Sequence, residues 1–126
     1  MPDTTPFPSG PALRGRRVLV VEDEYLLAED VSEELERLGA TVLGPVPSVR
    51  DALALLAREA APDAAILDIN LGGELAYPVA DALRARGVPF VFATGYDAEA
   101  IPDAYADVPR IEKPVALREI TQQLAR

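Results

Sequence analysis

The sequence predicts a single α/β domain built on a doubly wound, five-stranded parallel sheet. Short apolar runs alternate with segments of helical period along most of the 126 residues, which favours a layered α/β fold. The apolar runs are continuous, as in strands buried on both faces. The chain is 49% hydrophobic, which is enough for one buried core. We therefore expect one domain.

The first fifteen residues predict a flexible tail. They contain four prolines, two glycines and several Thr and Ser residues, a composition that cannot bury enough apolar surface to become ordered. The folded domain is therefore expected to span residues 16–126, with residues 1–15 as the tail.

The first strand and helix follow the tail directly. Residues 18–21 form an apolar, β-branched run that stops at an acidic stretch, as a buried strand would. Apolar residues then recur at helical spacing up to Gly39, which predicts helix 1 over residues 25–38. Residues 41–43 predict strand 2, closed by Gly44-Pro45.

Helix 2, strand 3 and helix 3 have clear boundary signals. Ser48, with Asp51 three residues later, resembles a capping box for helix 2. Residues 64–67 form the third apolar run, which ends at Asp68. Pro78 suits the first turn of helix 3, and Gly87 ends that helix.

The last part of the chain is less regular. Residues 90–93 predict strand 4, which ends at Thr94, and residues 108–111 predict a weak strand 5. Pro102 and Pro109 interrupt the short stretch between these strands, so helix 4 is expected to be short or irregular. Residues 117–124 predict the last helix, with no room after it for an output domain. Right-handed crossovers then give the strand order 2-1-3-4-5 with helices on both faces of the sheet.

Charge and composition exclude several classes of function. The net charge of −9 argues against direct binding to nucleic acid or anionic lipid. The chain contains no His and no Cys, which excludes imidazole and thiolate chemistry and the metal sites built from them. It has no Gly-rich phosphate loop ending in Lys-Ser or Lys-Thr, no membrane-spanning run and no signal peptide, so we expect a cytoplasmic protein.

Reactive side chains follow four of the predicted strands. Strand 1 is followed by Glu22 and Asp23, strand 3 by Asp68, strand 4 by Thr94, and strand 5 by Lys113, the one Lys of the chain. Ligands of open parallel sheets bind outside the carboxyl ends of the strands. Since strands 1, 3, 4 and 5 are neighbours in the expected order, these groups should line one crevice.

The predicted crevice has the composition of a magnesium and phosphoryl site. Three adjacent carboxylates repel one another unless a cation neutralises them, and hard oxygen ligands select Mg²⁺. Asp68 stands alone at the tip of a central strand, so it is the better nucleophile toward phosphorus, while Glu22 and Asp23 are placed to hold the metal. Lys113 and the Thr94 hydroxyl would contact the transferred phosphoryl oxygens.

These motifs together resemble the receiver domains of response regulators over residues 16–126. The matching pieces, in the family's order, are residues 20–24 (VVEDE), 67–71 (LDINL), 93–95 (ATG) and Lys113-Pro114. The resemblance implies Mg²⁺-dependent phosphotransfer to Asp68 from a phosphohistidine on a sensor histidine kinase or a histidine phosphotransfer protein. It also implies the flavodoxin-like strand order, and a signalling module that catalyses only its own phosphorylation and dephosphorylation.

The resemblance assigns roles to individual positions. Asp23 and Asp68 would bind the metal through their side chains, Glu22 directly or through water, and Asn70 through its backbone carbonyl. Lys113-Pro114 would contain the cis peptide bond common in the family, which is tolerable because the second residue is Pro.

Residues 92–96, Phe-Ala-Thr-Gly-Tyr, further resemble the FATGUY subgroup, which is often found as single-domain proteins. Receivers usually carry an aromatic switch residue three positions before the Lys, where this chain has Arg110. We therefore expect switching through Thr94, Tyr96 and Arg110, with ordering of residues 97–109 on phosphorylation. The surface of residues 94–112 is expected to meet a downstream protein.

Other interpretations remain open from the residues alone. Each motif residue has a simpler explanation; Asp68, for instance, could cap a loop through an Asx turn, and Tyr96 could be an amphipathic loop residue. A pseudo-receiver that docks partners without phosphorylation would keep the same fold. A flavin protein or a Mg²⁺ phosphatase of similar architecture would need an additional acid or base, and we find none in the sequence.

Overall fold

The computed structural model describes residues 13–94 and 101–112, with the backbone alone at residues 94, 111 and 112. The strands are β1 (Arg17–Val21), β2 (Thr41–Val46), β3 (Ala64–Asp68), β4 (Asn70–Leu71), β5 (Glu74–Leu75), β6 (Phe90–Thr94) and β7 (Arg110–Glu112). The helices are α1 (Tyr25–Arg37), α2 (Val49–Arg58) and α3 (Tyr77–Ala85), followed by a short 3-10 helix at Asp103–Tyr105. None of the helices in this part of the chain is long and apolar enough to cross a bilayer.

Five strands form one parallel sheet in the order β2-β1-β3-β6-β7. Strands β4 and β5 pair with each other in a separate antiparallel hairpin. Without that hairpin, the sheet order is the predicted 2-1-3-4-5, so the predicted doubly wound topology is confirmed.

The core lies on both faces of this sheet. Leu19, Val21 and Leu67 belong to a cluster that includes the buried faces of α2 and α3, whereas Val18 and Val20 belong to a second cluster with α1. Because successive side chains of a strand point to opposite faces, β1 alone contributes to both clusters. Helices therefore cover both faces, which explains why the strands read as continuous apolar runs.

The structure confirms the predicted starts of α2 and α3 and moves the end of α1 by one residue. Helix α1 ends at Arg37, with Leu38 as its C-cap, one residue earlier than predicted. The Ser48 hydroxyl accepts a hydrogen bond from the Asp51 backbone N–H at 3.1 Å, which is the expected N-cap of α2. Pro78 lies in the first turn of α3, as predicted.

Strand β2 is longer than predicted. It continues through Gly44 and Pro45, joined by a cis peptide bond, to Val46, although the sequence suggested that this pair closes the strand. The strand lies at the edge of the sheet, where the missing N–H of a proline disrupts no second ladder. A register shift between Leu19 and Val21 of β1 accommodates the pair.

Two further boundaries need correction. Leu13, assigned to the tail, is fully buried in the α1-side cluster, and the Gly15 N–H donates to the Gly39 carbonyl at 2.8 Å, so the folded domain includes residues 13–15. Strand β7 begins at Arg110 instead of residue 108.

Within residues 101–109, the described part of the region where helix 4 was expected, the structure has the short 3-10 helix, which agrees with the predicted irregularity. Residues 1–12 and 95–100 and the predicted last helix lie outside the described residues.

Candidate functional site

Three carboxylates meet at the carboxyl ends of β1 and β3. One oxygen from each of Glu22, Asp23 and Asp68 lies within 4.8 Å of the others. The cause is the strand register: Val21 is the parallel partner of Leu67, so Glu22 and Asp68 follow at the same level of adjacent strands. The structure therefore brings together the three acidic side chains that the sequence placed in one crevice.

Two of these carboxylates are buried and hydrogen bonded. Asp68 is 4% exposed, and its Oδ1 accepts the backbone N–H of Asn70 at 3.1 Å. Glu22 is 8% exposed, and its Oε2 accepts the backbone N–H of Glu24 at 3.0 Å. Asp23 is exposed to solvent. The Asx-type bond considered for Asp68 is thus present, and it orients the carboxylate within the cluster.

The β4–β5 hairpin forms one wall of the cluster. Its turn residues Gly72 and Gly73 have positive φ angles of 65° and 96°, the conformation that a two-residue hairpin turn of this kind requires. The Asn70 side-chain oxygen accepts the Gly73 N–H at 2.6 Å, and a Cβ on Gly72 would lie 3.6 Å from Oδ2 of Asp23. This hairpin was not predicted from the sequence, although its signal is the Gly-Gly pair between Asn-Leu and Glu-Leu.

The donor set fits a hard divalent cation. Three carboxylate oxygens converge from residues 22, 23 and 68, and the whole chain has neither His nor Cys to favour a softer metal. Mg²⁺ binds through one or two carboxylates and keeps several waters, so a half-open cluster with one exposed member suits it.

The other predicted site residues are only partly described. Asp68 pairs with Ala93 of β6, so the Thr94 backbone comes one residue beyond the level of Asp68. Thr94 itself pairs with Glu112, the last residue of β7. The Thr94 side chain, Tyr96, Lys113 and the Lys113-Pro114 peptide bond lie outside the described part of the structure, and their roles stay predictions.

Arg110 and Tyr105 differ in their surroundings. Arg110, at the expected switch position, is exposed, and its backbone pairs with Phe92. Tyr105 is 9% exposed and stacks on Tyr77 with ring centroids 4.6 Å apart. Tyr105 was not among the predicted site residues; its signal in the sequence is an aromatic residue in a short segment bounded by prolines.

The Tyr105 hydroxyl donates to Oδ1 of Asp81 at 2.5 Å. This hydrogen bond, burial of the ring and the Asp81 charge raise the pKa of Tyr105 above that of a free tyrosine. The Tyr105 phenol therefore stays protonated at neutral pH and fixes the ring against α3.

A second tyrosine, Tyr25 at the start of α1, also has a raised pKa, because its hydroxyl is hydrogen bonded to Glu29.

The parallel sheet of this order, with three carboxylates at its carboxyl edge, defines an acidic α/β domain whose carboxylate cluster could hold a metal ion. The family model described as the response regulator receiver domain matches residues 18–125, and the chain belongs to this family. Receiver domains typically bind Mg²⁺ at such an acidic cluster, which agrees with the donor set found here.

Individual relatives refine this assignment. SdrG from Sphingomonas melonis Fr1 is 43% identical, with a TM-score of 0.78 and coverage of 88% of this chain and 94% of SdrG. The BeF3-activated conformation of SdrG from Pseudomonas melonis Fr1 is 44% identical, with a TM-score of 0.72 and coverage of 86% and 92%. The predicted resemblance to receiver domains, including the subgroup suspected from residues 92–96, is thereby confirmed.

Curated relatives are longer than this chain. The sensory transduction protein LytT of Bacillus cereus is 34% identical over 114 residues, which are 87% of this chain and 46% of LytT. The phyllosphere-induced regulator PhyR of Methylorubrum extorquens is 32% identical over 81 residues, 63% of this chain and 30% of PhyR. The chain thus spans about half the length of the LytT relative.

Proposed function

We propose that this chain is a phosphorylation-controlled receiver that accepts a phosphoryl group on Asp68. The donor is the phosphohistidine of a sensor histidine kinase or of a histidine phosphotransfer protein. The observation that carries the proposal is the acidic cluster itself, because the carboxylates of Glu22, Asp23 and Asp68 converge at the carboxyl edge of two central strands.

The transfer is a displacement at phosphorus. An Oδ atom of Asp68 attacks, the O–P bond forms as the P–N bond of phosphohistidine breaks, and the donor imidazole leaves as a neutral ring after taking up a proton. The Asn70 N–H donates a hydrogen bond to Oδ1 of Asp68 at 3.1 Å, and this bond fixes the orientation of the carboxylate. A fixed nucleophile lowers the barrier because little orientational freedom remains to be lost.

Glu22, Asp23 and Asp68 would hold Mg²⁺, which supplies positive charge to the carboxylates and to the phosphoryl oxygens. Asp23 is the exposed member, so it borders the side from which a donor can approach. Thr94, the last residue of β6, and Lys113, which follows β7 in sequence, are proposed to contact the phosphoryl oxygens.

The hairpin supports a metal role for the Asn70 carbonyl. Ala76 N–H donates to the Ile69 carbonyl, and Leu71 pairs with Glu74, so Asn70 occupies the intervening pair of an antiparallel ladder. A residue at such a position turns its N–H and carbonyl away from the partner strand. Since the Asn70 N–H reaches Asp68, its carbonyl is directed to the same side.

A solved relative also supports the proposal. SdrG, 44% identical to this chain, has a BeF3-activated conformation. Beryllium in BeF3⁻ becomes tetrahedral when a carboxylate oxygen binds it, and the adduct then resembles a phosphoryl group on that carboxylate. We infer that Asp68 is the corresponding carboxylate in this chain.

The test is beryllofluoride binding followed by backbone NMR. With Mg²⁺, beryllofluoride should shift the amide signals of residues 68–76, and Asp68→Asn should abolish the shifts. Asp30→Asn, an exposed carboxylate on α1, is the matched control and should respond like the native chain. Phosphotransfer from a labelled kinase should likewise require Asp68.

The alternative is a pseudo-receiver that docks proteins without phosphorylation. Its mark would be an incomplete acidic cluster, whereas all three carboxylates are present and converge here. A native chain that ignores beryllofluoride, acetyl phosphate and phosphorylated kinases, all with Mg²⁺, would favour this alternative.

A further inference from the structure

Residues 101–109 contact the side of α3 through several polar groups, in addition to the core packing of Tyr105 and Val108 and the Phe92 N–H bond to the Pro109 carbonyl. Arg84 Nη1 donates to the Ala104 carbonyl at 2.8 Å, and Arg84 Nη2 pairs with Oδ1 of Asp107 at 2.6 Å. The Arg84 guanidinium also lies 5.3 Å from the centroid of the Tyr105 ring. The Tyr105 hydroxyl bond to Asp81 adds a further link to the same helix.

The segment has little regular structure of its own. Its backbone bonds join Tyr105 to Pro102, Ala106 to Asp103 and Val108 to Tyr105, at 2.9 to 3.1 Å. These are single turns and not a continuing helix. The position of the segment therefore depends on its contacts with α3 and β6, which makes it a candidate for local opening.

The Tyr105 ring also contacts residues that connect to the segment directly after Asp68. It stacks on Tyr77 at an interplanar angle of 14° and meets Phe92 edge-on at 6.2 Å. Tyr77 is the first residue of α3, and the preceding Ala76 N–H donates to the Ile69 carbonyl at 2.8 Å. Ile69 directly follows Asp68, so a continuous set of packed groups joins the acidic cluster to Tyr105.

We propose that Tyr105 is the aromatic coupling residue of this receiver, linking occupancy of Asp68 to the docking of residues 101–109 on α3. The inference rests on the proposed phosphorylation of Asp68. Docked Tyr105 restrains Tyr77 and the hairpin after Asp68, so the site has less freedom to lose when it binds an anion. By reciprocity, an occupied site holds the segment more firmly.

The coupling explains why an exposed Arg110 is compatible with switching. Arg110 makes a backbone ladder contact with Phe92, while Tyr105 supplies the buried ring that contacts Phe92 and Tyr77. The partner-facing surface that changes is then the exposed side of residues 101–109, which includes Asp103 and Asp107.

The experiment compares the full native chain with Tyr105→Leu and Tyr77→Leu. Beryllofluoride affinity, measured with excess Mg²⁺, should fall roughly 5-fold or more in each variant. The double variant should lose little beyond either single one, because both remove the same stack. In the native chain, beryllofluoride should slow hydrogen exchange at the Tyr105, Ala106 and Val108 amides, and this effect should vanish in Tyr105→Leu.

Val31→Ala is the control for general destabilisation. Val31 is buried on α1, in the core cluster of the opposite sheet face, so its truncation lowers stability without touching the Tyr105 stack. It should bind beryllofluoride like the native chain at a temperature where both are folded.

The outcomes separate the two proposals. If the native chain does not bind beryllofluoride, the proposed function fails and the coupling fails with it. If the native chain binds but Tyr105→Leu binds equally well and segment exchange is unchanged by the anion, only the coupling is overturned. An equal loss of affinity in Val31→Ala would also overturn it.

Discussion

The Tyr105 hydroxyl donates a partly buried hydrogen bond to the Asp81 carboxylate of α3. The hydrogen bond, burial and the neighbouring negative charge raise the pKa of Tyr105 in the folded state. A group with a raised folded-state pKa contributes stability that is complete below its unfolded pKa, about 10 for tyrosine. That contribution is lost as the pH rises through the folded-state pKa.

Tyr105→Phe should therefore lower the free energy of unfolding by about 0.5–1.5 kcal/mol at neutral pH, because it removes one hydrogen bond whose acceptor, the exposed Asp81, is then hydrated by water. The deficit relative to the native chain should shrink above about pH 10, because there the phenol of the unfolded chain ionises while the folded phenol, whose pKa is raised, is still protonated. Urea unfolding at neutral and alkaline pH measures both. Asp81→Asn keeps a hydrogen-bond acceptor without the charge, so the loss of stability at alkaline pH should be shallower in this variant than in the native chain. A stability deficit of Tyr105→Phe that does not change with pH would contradict the stabilising role of the Tyr105–Asp81 hydrogen bond.

The acidic side chains of the site could be predicted residue by residue, whereas Tyr105 could not. Glu22, Asp23 and Asp68 follow apolar strands directly, and parallel strands present their carboxyl ends at one edge. The role of Tyr105 depends on contacts with Tyr77 and Asp81, more than twenty residues away in sequence. The spacing of apolar residues along the sequence does not predict a tertiary contact of this kind.

At the scale of single elements, β2 depends on a glycine. Gly44 has a φ of 90°, and a Cβ there would lie 2.8 Å from the Val46 nitrogen and 3.0 Å from the Val20 carbonyl oxygen. Gly87, after α3, has a similar φ of 71°, but a Cβ there meets nothing within 4 Å. Comparing substitutions at these two glycines therefore distinguishes the cost of a positive φ from the cost of a steric clash.

Gly44→Ala should destabilise the domain by more than about 2 kcal/mol, since positive φ alone costs about 1–2 kcal/mol and backbone atoms block the added methyl. Gly87→Ala, the matched control, should lose only the conformational part. Thermal or urea unfolding of both variants makes the comparison. Equal losses would mean that the close approach of Gly44 to β1 has no energetic effect.

Element boundaries were predictable where a local chemical signal marks them. Ser48 marks the start of α2 through its own hydrogen bond to the Asp51 N–H. Gly44 and Pro45 resemble a strand end, yet pairing with β1 carries the strand to Val46. The β4–β5 hairpin has four paired residues and was too short for an alternation pattern to reveal.

For the whole molecule, the fold could be predicted because buried strands and amphipathic helices alternate without long interruptions. The predicted order 2-1-3-4-5 follows from right-handed crossovers and is the observed order of the main sheet. The distribution of charge is the second global property: a chain of net charge −9 keeps three carboxylates at one sheet edge. That arrangement links the stability of the domain to a cation.

Mg²⁺ should raise the free energy of unfolding, because the folded chain gathers Glu22, Asp23 and Asp68 into one site and the unfolded chain does not. At a free concentration of 100 times Kd the gain is about 2.7 kcal/mol. Asp23→Asn should abolish most of this gain. Without Mg²⁺, the same variant should be slightly more stable than the native chain, by less than about 1 kcal/mol, because it relieves repulsion at an exposed position.

Thermal unfolding of the native chain, Asp23→Asn and the exposed-site control Asp30→Asn, each with Mg²⁺ and with a chelator, tests this reversal of order. The control should follow the native chain in both conditions. An Asp23→Asn variant that is less stable than the native chain in chelator would show that Asp23 has a structural role. Stabilisation by Mg²⁺ that is equal in all three proteins would place the cation elsewhere. The predicted crossover, with the variant more stable without metal and less stable with it, follows only if Asp23 is a ligand whose charge is unfavourable until the cation binds.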